Sequence, residues 1–224
     1  MSAPVLATSP VTLDWKRGSR WAVVALSLLA AGCFAASWFL PWWTFQLFAP
    51  QYPKGLSLVI HLTGVTGDVA EIDVINHYIG MHSLADAAEL ERAASHWIVG
   101  LTAAAVFVLN LLVSKNGGWL PVLFGLGLPL GFLIDTTYWM YQSGHDLDPT
   151  AAINLKPFMP TVLGEGKVGQ FRTEALPALG FWVALAGVAL LGVASWQRAK
   201  VCRACPLAST CGATCPSALV KVPR

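Results

Sequence analysis

The residues able to do chemistry in this chain fall into two groups. Four of its five cysteines crowd into the C-terminal tail, as Cys202-Arg-Ala-Cys205-Pro and Cys211-Gly-Ala-Thr-Cys215-Pro. Four thiols at this spacing are a possible metal set: thiolate tetrads hold zinc or an iron–sulfur cluster, and in a reducing compartment clustered cysteines more often bind metal or react than form bridges. The alternative is a tail with merely reactive thiols. All five histidines lie elsewhere, at His61, His77, His82, His96 and His145. The run Asn76-His-Tyr-Ile-Gly-Met81-His82 sets the imidazoles of His77 and His82 beside the thioether of Met81, across an expected helix end. Imidazole with thioether suits copper, and soft ligands favour Cu(I) in particular. The plainer reading makes His77 and Tyr78 interfacial residues and Met81 a gap filler. A third group consists of His96, Asp135 and Glu174, expected at the ends of long apolar stretches and thus able to meet at one level. An ionisable residue such as Asp135 inside a span is a functional candidate by default, the alternative being that it snorkels or caps locally. His61 is a further candidate.

The elements that must position these groups are apolar. The chain has 224 residues, of which 55% are hydrophobic and 12% charged, against about 25% charged in soluble domains. Apolar stretches run from Trp21 to Leu40, from about His96 to Val113, from Trp119 to about Tyr141 and from about Leu176 to Trp196. Each is close to the roughly 20 residues that cross a bilayer as a helix. Gly125, Gly127, Gly131, Gly187 and Gly192 suit close helix packing, and Pro129 is expected to kink the third stretch. Trp38, Trp42, Trp43, Trp97, Trp119, Tyr138, Trp139, Trp182 and Trp196 read as interfacial anchors. Lys16, Arg17 and Arg20 precede the first stretch, Lys115 lies between the second and third, and Arg198, Lys200, Arg203, Lys221 and Arg224 follow the fourth. Residues 41–95 carry two basic and six acidic residues. The positive-inside rule then places both termini in the cytoplasm and the two longer loops outside, as in a bacterial cytoplasmic membrane. A lipoprotein signal ending at Cys33 is the competing reading of the first stretch; against it, the apolar run continues past Cys33 to Leu40. The lipid bilayer is the expected partner, with other membrane or extracytoplasmic proteins. Nothing in the charge distribution points to nucleic acid.

The expected fold is all-α: a cytoplasmic segment 1–20, a four-helix membrane domain 21–196 with outer loops 41–95 and 142–175, and a cytoplasmic Cys-rich tail 197–224. The first outer loop is too long for a plain connector. Gly55–Leu62 alternates weakly, as a strand or extended arm. Asp68-Val-Ala-Glu71 has the form of a capping box, Ile72, Ile75 and Ile79 recur at helical spacing, and Gly80 stops the helix. Ser83-Leu-Ala-Asp86 is expected to start a second helix, either short or running without a break into the second apolar stretch, so the cap is expected to be helical. The second outer loop, rich in Pro and Gly, has no period and is expected as an irregular lid or a mobile segment. The two halves show no internal repeat, which weakens a transporter reading.

The C-x3-C-P ending of the tail resembles the cysteine pattern of bacterial ferredoxins and of polytopic quinol-oxidising proteins of nitrate and nitrous oxide respiration, although it has five residues rather than two before the third cysteine. Gly67–Met81, and Lys156-Pro-Phe-Met-Pro through Gly164–Phe171, resemble polytopic membrane proteins accompanying the nitrous oxide reductase maturation system. That resemblance implies a non-catalytic accessory role in copper-site assembly outside the cytoplasm, with His77, Met81 and His82 as candidate ligands. The expected function is therefore an accessory or assembly protein handling a metal on the outer face. The alternatives are an electron-transfer subunit with an iron–sulfur or zinc site on its inner tail, and a structural subunit of a larger membrane complex. No haem is expected, since no histidine lies mid-span and no C-x-x-C-H occurs. No phosphate loop or nucleophile motif points to an enzyme.

Overall fold

A computed structural model describes residues 14–84, 87–112, 118–153, 155–168 and 171–203, with backbone alone for 14–20, 168 and 201–203. Four long helices form: α1 (Asp14–Ser37), α3 (Glu89–Leu112), α4 (Leu120–His145) and α5 (Leu179–Arg203), with the short α2 (Val69–Ile79) between α1 and α3. The long helices pack α1 on α5 and α3, and α4 on α5 and α3. Three of them, α3, α4 and α5, are long and apolar enough to cross a membrane, so this is a membrane protein. The apolar part of α1, Trp21–Ser37, is shorter.

The cap expected to be helical is a sheet, and the chain is therefore mixed α/β rather than all-α. Strands β1 (Trp43–Ala49), β2 (Tyr52–His61) and β3 (Gly64–Gly67) come from the first loop, and β4 (Gly164–Val168) and β5 (Phe171–Pro177) from the second. They form one antiparallel sheet in the order β3-β2-β1-β5-β4. Its centre is the β1–β5 pairing, Trp43 opposite Pro177 through Phe48 opposite Arg172. Neither loop contains this sheet by itself. Each supplies a small antiparallel ribbon with an unpaired edge, and joining the ribbons satisfies those backbone groups. The residues expected to open the fourth apolar helix, Leu176 and Pro177, belong to β5 instead, and the helix starts at Leu179.

The sheet sits where α1 and α4 end and α3 and α5 begin. Trp42 and Trp43, expected as interfacial anchors, are buried at this junction. The Trp42 ring lies 4.9 Å from Phe132 of α4, and the Trp43 ring 5.4 Å from Phe181 of α5. Both indole N–H groups donate to backbone, Trp42 to the Ser37 carbonyl and Trp43 to that of Val162, each at 2.8 Å. Gly180 allows the close fit, since a Cβ there would lie 2.7 Å from the Trp42 ring. Trp97, Trp119, Tyr138, Trp182 and Trp196 do stand exposed. Cys33 is half-buried in the α1–α5 contact, where its Cβ faces Gly187.

Helix α2 buries Ile72, Ile75 and Ile79, and the first two pack on Leu56 and Leu58 of β2. Gly80 ends the helix in the left-handed conformation (φ 80°), and the Met81 N–H returns to the Asn76 carbonyl at 2.8 Å, the geometry for which glycine is favoured. The capping box does not form. Asp68 makes no side-chain cap; its carboxylate accepts instead from the Ser57 N–H at 2.8 Å, tying the helix start to β2. The helix expected from Ser83 does not start there among the described residues: Asp73 takes the Ser83 hydroxyl (2.9 Å) and the Leu84 N–H (2.8 Å). The next helix is α3 itself, entered through Ala88 at φ 52°.

Candidate functional site

Two groups of chemically capable residues form on the sheet side of the protein. The first surrounds the end of α2. The irregular chain after α4 is stitched onto it: the Asp148 N–H donates to the Gly80 carbonyl at 2.8 Å and the Ile153 N–H to that of Tyr78 at 3.0 Å. The ends of α2 and α4 are thereby held side by side, with the stretch from Asp148 to Ile153 pinned between them. His82 then meets Asp146, with Nε2 3.2 Å from Oδ2 and both side chains largely exposed. A carboxylate only accepts, so this contact calls for a proton on Nε2, and in the neutral ring Nδ1 is then the nitrogen that carries the lone pair. Asp148 lies close by. The Thr150 hydroxyl at 2.6 Å and the Thr150 N–H at 2.8 Å hold its carboxyl below the usual range, helped by the nearby His77 and His82. His77 is exposed, and Met81, directly after the left-handed turn, is half-buried. Among the described residues, no three His, Cys, Asp or Glu side chains already converge as a metal chelate.

The second group lines a cavity of about 350 Å³ between β2–β3, the start of α3 and the half of α4 nearer the sheet. Its polar lining includes His61, Glu91, Arg92, Asp135 and Trp139. Glu91 lies within electrostatic reach of Asp135, and Asp135 faces Trp139 one helical turn further on. Among the described residues the buried Glu91 Oε2 has no hydrogen-bond partner, and the nearest polar group to the buried Trp139 indole N–H is the Asp135 carboxyl. Glu91, Arg92 and Trp139 were not singled out as chemistry by sequence. The available signal was that Glu91 and Arg92 open an apolar helix on the face that later carries Ser95 and Val99.

His96, Asp135 and Glu174 do not converge. His96 is exposed and rests on Trp97, with ring centroids 5.0 Å apart. Glu174 is in β5, opposite Gln46 on one side and Glu165 on the other. Asp135 alone reaches the cavity, where its company is Glu91, Arg92 and His61. The helical spacing explains this: on α3 the positions facing the cavity are 91, 92, 95, 98 and 99, and position 96 points away. Of the tail cysteines, Cys202 falls on the last turn of α5 with only its backbone described, and Cys205, Cys211 and Cys215 lie outside the described residues. Compared with known proteins, the chain matches no family model and no curated sequence.

Proposed function

We propose that this is an integral membrane accessory protein that handles a metal ion, copper in particular, on the extracytoplasmic face of a bacterial cytoplasmic membrane. The observation that carries the reading is the His82–Asp146 contact at 3.2 Å. A carboxylate on one imidazole nitrogen orients the ring, fixes its tautomer and raises the basicity of the other nitrogen, as is common behind metal-binding histidines. His82 Nδ1 would be the anchoring donor, with the His77 imidazole and the Met81 thioether as the further soft or borderline donors. An exposed, incompletely assembled set suits an ion that is cargo, since an acceptor protein can approach and complete the coordination. The distribution of basic residues supports the orientation, with the sheet, His77, Met81 and His82 outside. The resemblance of Gly67–Met81 to proteins accompanying nitrous oxide reductase maturation supports the same role.

The test is Cu(I) competition with a chelator of known affinity on the full chain. All four tail cysteines are replaced by serine, because thiolates bind Cu(I) themselves. Replacing His77, Met81 and His82 together by alanine is expected to lower the affinity at least about 100-fold, and Asp146→Asn alone about 10- to 100-fold. Unchanged affinity in the triple variant would remove the reading.

A further inference from the structure

We infer that the cavity between β2–β3, α3 and α4 holds one hydrocarbon chain of a membrane lipid from the leaflet on the sheet side. Its walls are apolar where it lies farthest from the sheet, lined there by Val99 of α3 with Leu128 and Phe132 of α4. Leu58, Ile60 and Leu62 close it toward the sheet. Its volume of about 350 Å³ lies within the roughly 300–1,000 Å³ of small-molecule sites. Helix α4 is 26 residues long, about 39 Å at 1.5 Å per residue. The lining on it begins at Gly127 and ends at Met140, about 20 Å by the same rise. The cavity therefore takes up only the sheet-side half of the span. One leaflet offers about 15 Å of hydrocarbon, half of roughly 30 Å. A lipid chain fits that length, whereas a helix from a partner would run on past the cavity across the other half.

The cavity opens sideways between α3 and α4. Gly127 and Gly131, one turn apart on α4, line it and are exposed, and a Cβ added to either would meet nothing within 4 Å. Ile98 of α3 lines it too, with 47% of its surface exposed. Leu130 and Ile134 follow the two glycines by three residues and so flank them on the same helix face. They are 47% and 70% exposed, on a helix long and apolar enough to cross a membrane. The surface around the mouth thus faces lipid. What enters a gap there is hydrocarbon rather than water, since an apolar cavity stays dry and an unfilled one forfeits dispersion contacts along its walls. The selection is for a chain and carries no preference among head groups: the charged side chains Glu91, Arg92 and Asp135 gather at the sheet end, above the apolar part.

The full chain is reconstituted in phosphatidylcholine vesicles holding a trace of phospholipid with a diazirine at mid-chain. After irradiation its adducts are mapped by peptide mass spectrometry. Val99 and Leu128 are 3% and 8% exposed, so a chain that stays on the outer surface does not reach them. Leu101, 65% exposed, reports ordinary lipid contact. Wild type is expected to carry adducts at Val99 and Leu128 as well as at Leu101, alike with a choline or a glycerol head on the labelled lipid. Gly131→Leu puts a side chain into the open space and favours the helix. It should lose the adducts at Val99 and Leu128, keep those at Leu101 and unfold at no lower temperature. A polyprenol added to the vesicles tells a branched chain from a straight one: loss of the two inner adducts alone would name an isoprenoid chain as the occupant, and their persistence an acyl chain. Labelling of Leu101 without Val99 and Leu128, or inner adducts undiminished in folded Gly131→Leu, would overturn the inference.

Discussion

At Gly144 the α4 helix touches the returning chain without any side chain between them. The Phe158 N–H donates to the Gly144 carbonyl at 3.0 Å, and the Phe158 carbonyl occupies the place a Cβ would take. Gly144→Ala must push backbone away from backbone, so it is expected to destabilise by about 1–3 kcal/mol. Gly100, on α3, has nothing within 4 Å of an added Cβ. Gly100→Ala is therefore expected to be neutral or stabilising by up to about 1 kcal/mol, the helix-propensity difference. Thermal unfolding of the two variants in one detergent checks the pair, and equal midpoints would contradict the packing described here. Single residues were legible in sequence where their role is local. Gly80 was identifiable as a helix stop because its left-handed backbone is a property of one residue. Asp68 was not, since its carboxylate prefers the Ser57 N–H across the chain to the helix start beside it.

Among the elements, helices were more legible than strands. The 3,4 spacing of Ile72, Ile75 and Ile79 announces α2, and long apolar runs announce α3, α4 and α5. Strand β4 is Gly-Glu-Gly-Lys-Val, a run with poor strand propensity that holds its place by pairing with β5. Strand β5 merges in sequence with the apolar helix that follows it, which hides their boundary. What joins these elements to the helices is the aromatic junction, where Trp43 touches both Phe132 and Phe181 and also donates to the Val162 carbonyl. Trp43→Ala is expected to cost about 3–5 kcal/mol. It should also loosen the β1–β5 pairing first, seen as faster amide exchange in Phe45–Leu47 than in α5. Unchanged exchange there would show that the sheet holds without its tryptophan.

For the molecule as a whole, the proposed orientation makes a direct prediction. Lys54 is exposed on β2, on the side of the sheet loops. In a variant with its own cysteines replaced by serine, Lys54→Cys is expected to react with a membrane-impermeant maleimide in intact spheroplasts. A cysteine placed after Arg224 should react only after permeabilisation, and the opposite pattern would reverse the orientation. The sequence by itself marked four apolar stretches as membrane helices, of which α3, α4 and α5 prove long and apolar enough to cross; it also determined that α2 exists and where it stops, and that basic residues gather in the termini and in the link between the second and third stretches. These follow from hydrophobicity, helical period and charge, which are properties of neighbouring residues. Only the tertiary structure decided that two loops share one sheet, that Trp42 and Trp43 are buried, that His82 meets Asp146, and that Asp135 keeps company with Glu91 rather than with His96 or Glu174. Those outcomes depend on strand pairing, helix rotation and burial between segments far apart in the chain, and no local pattern of residues encodes which distant partner satisfies a given backbone edge or carboxylate.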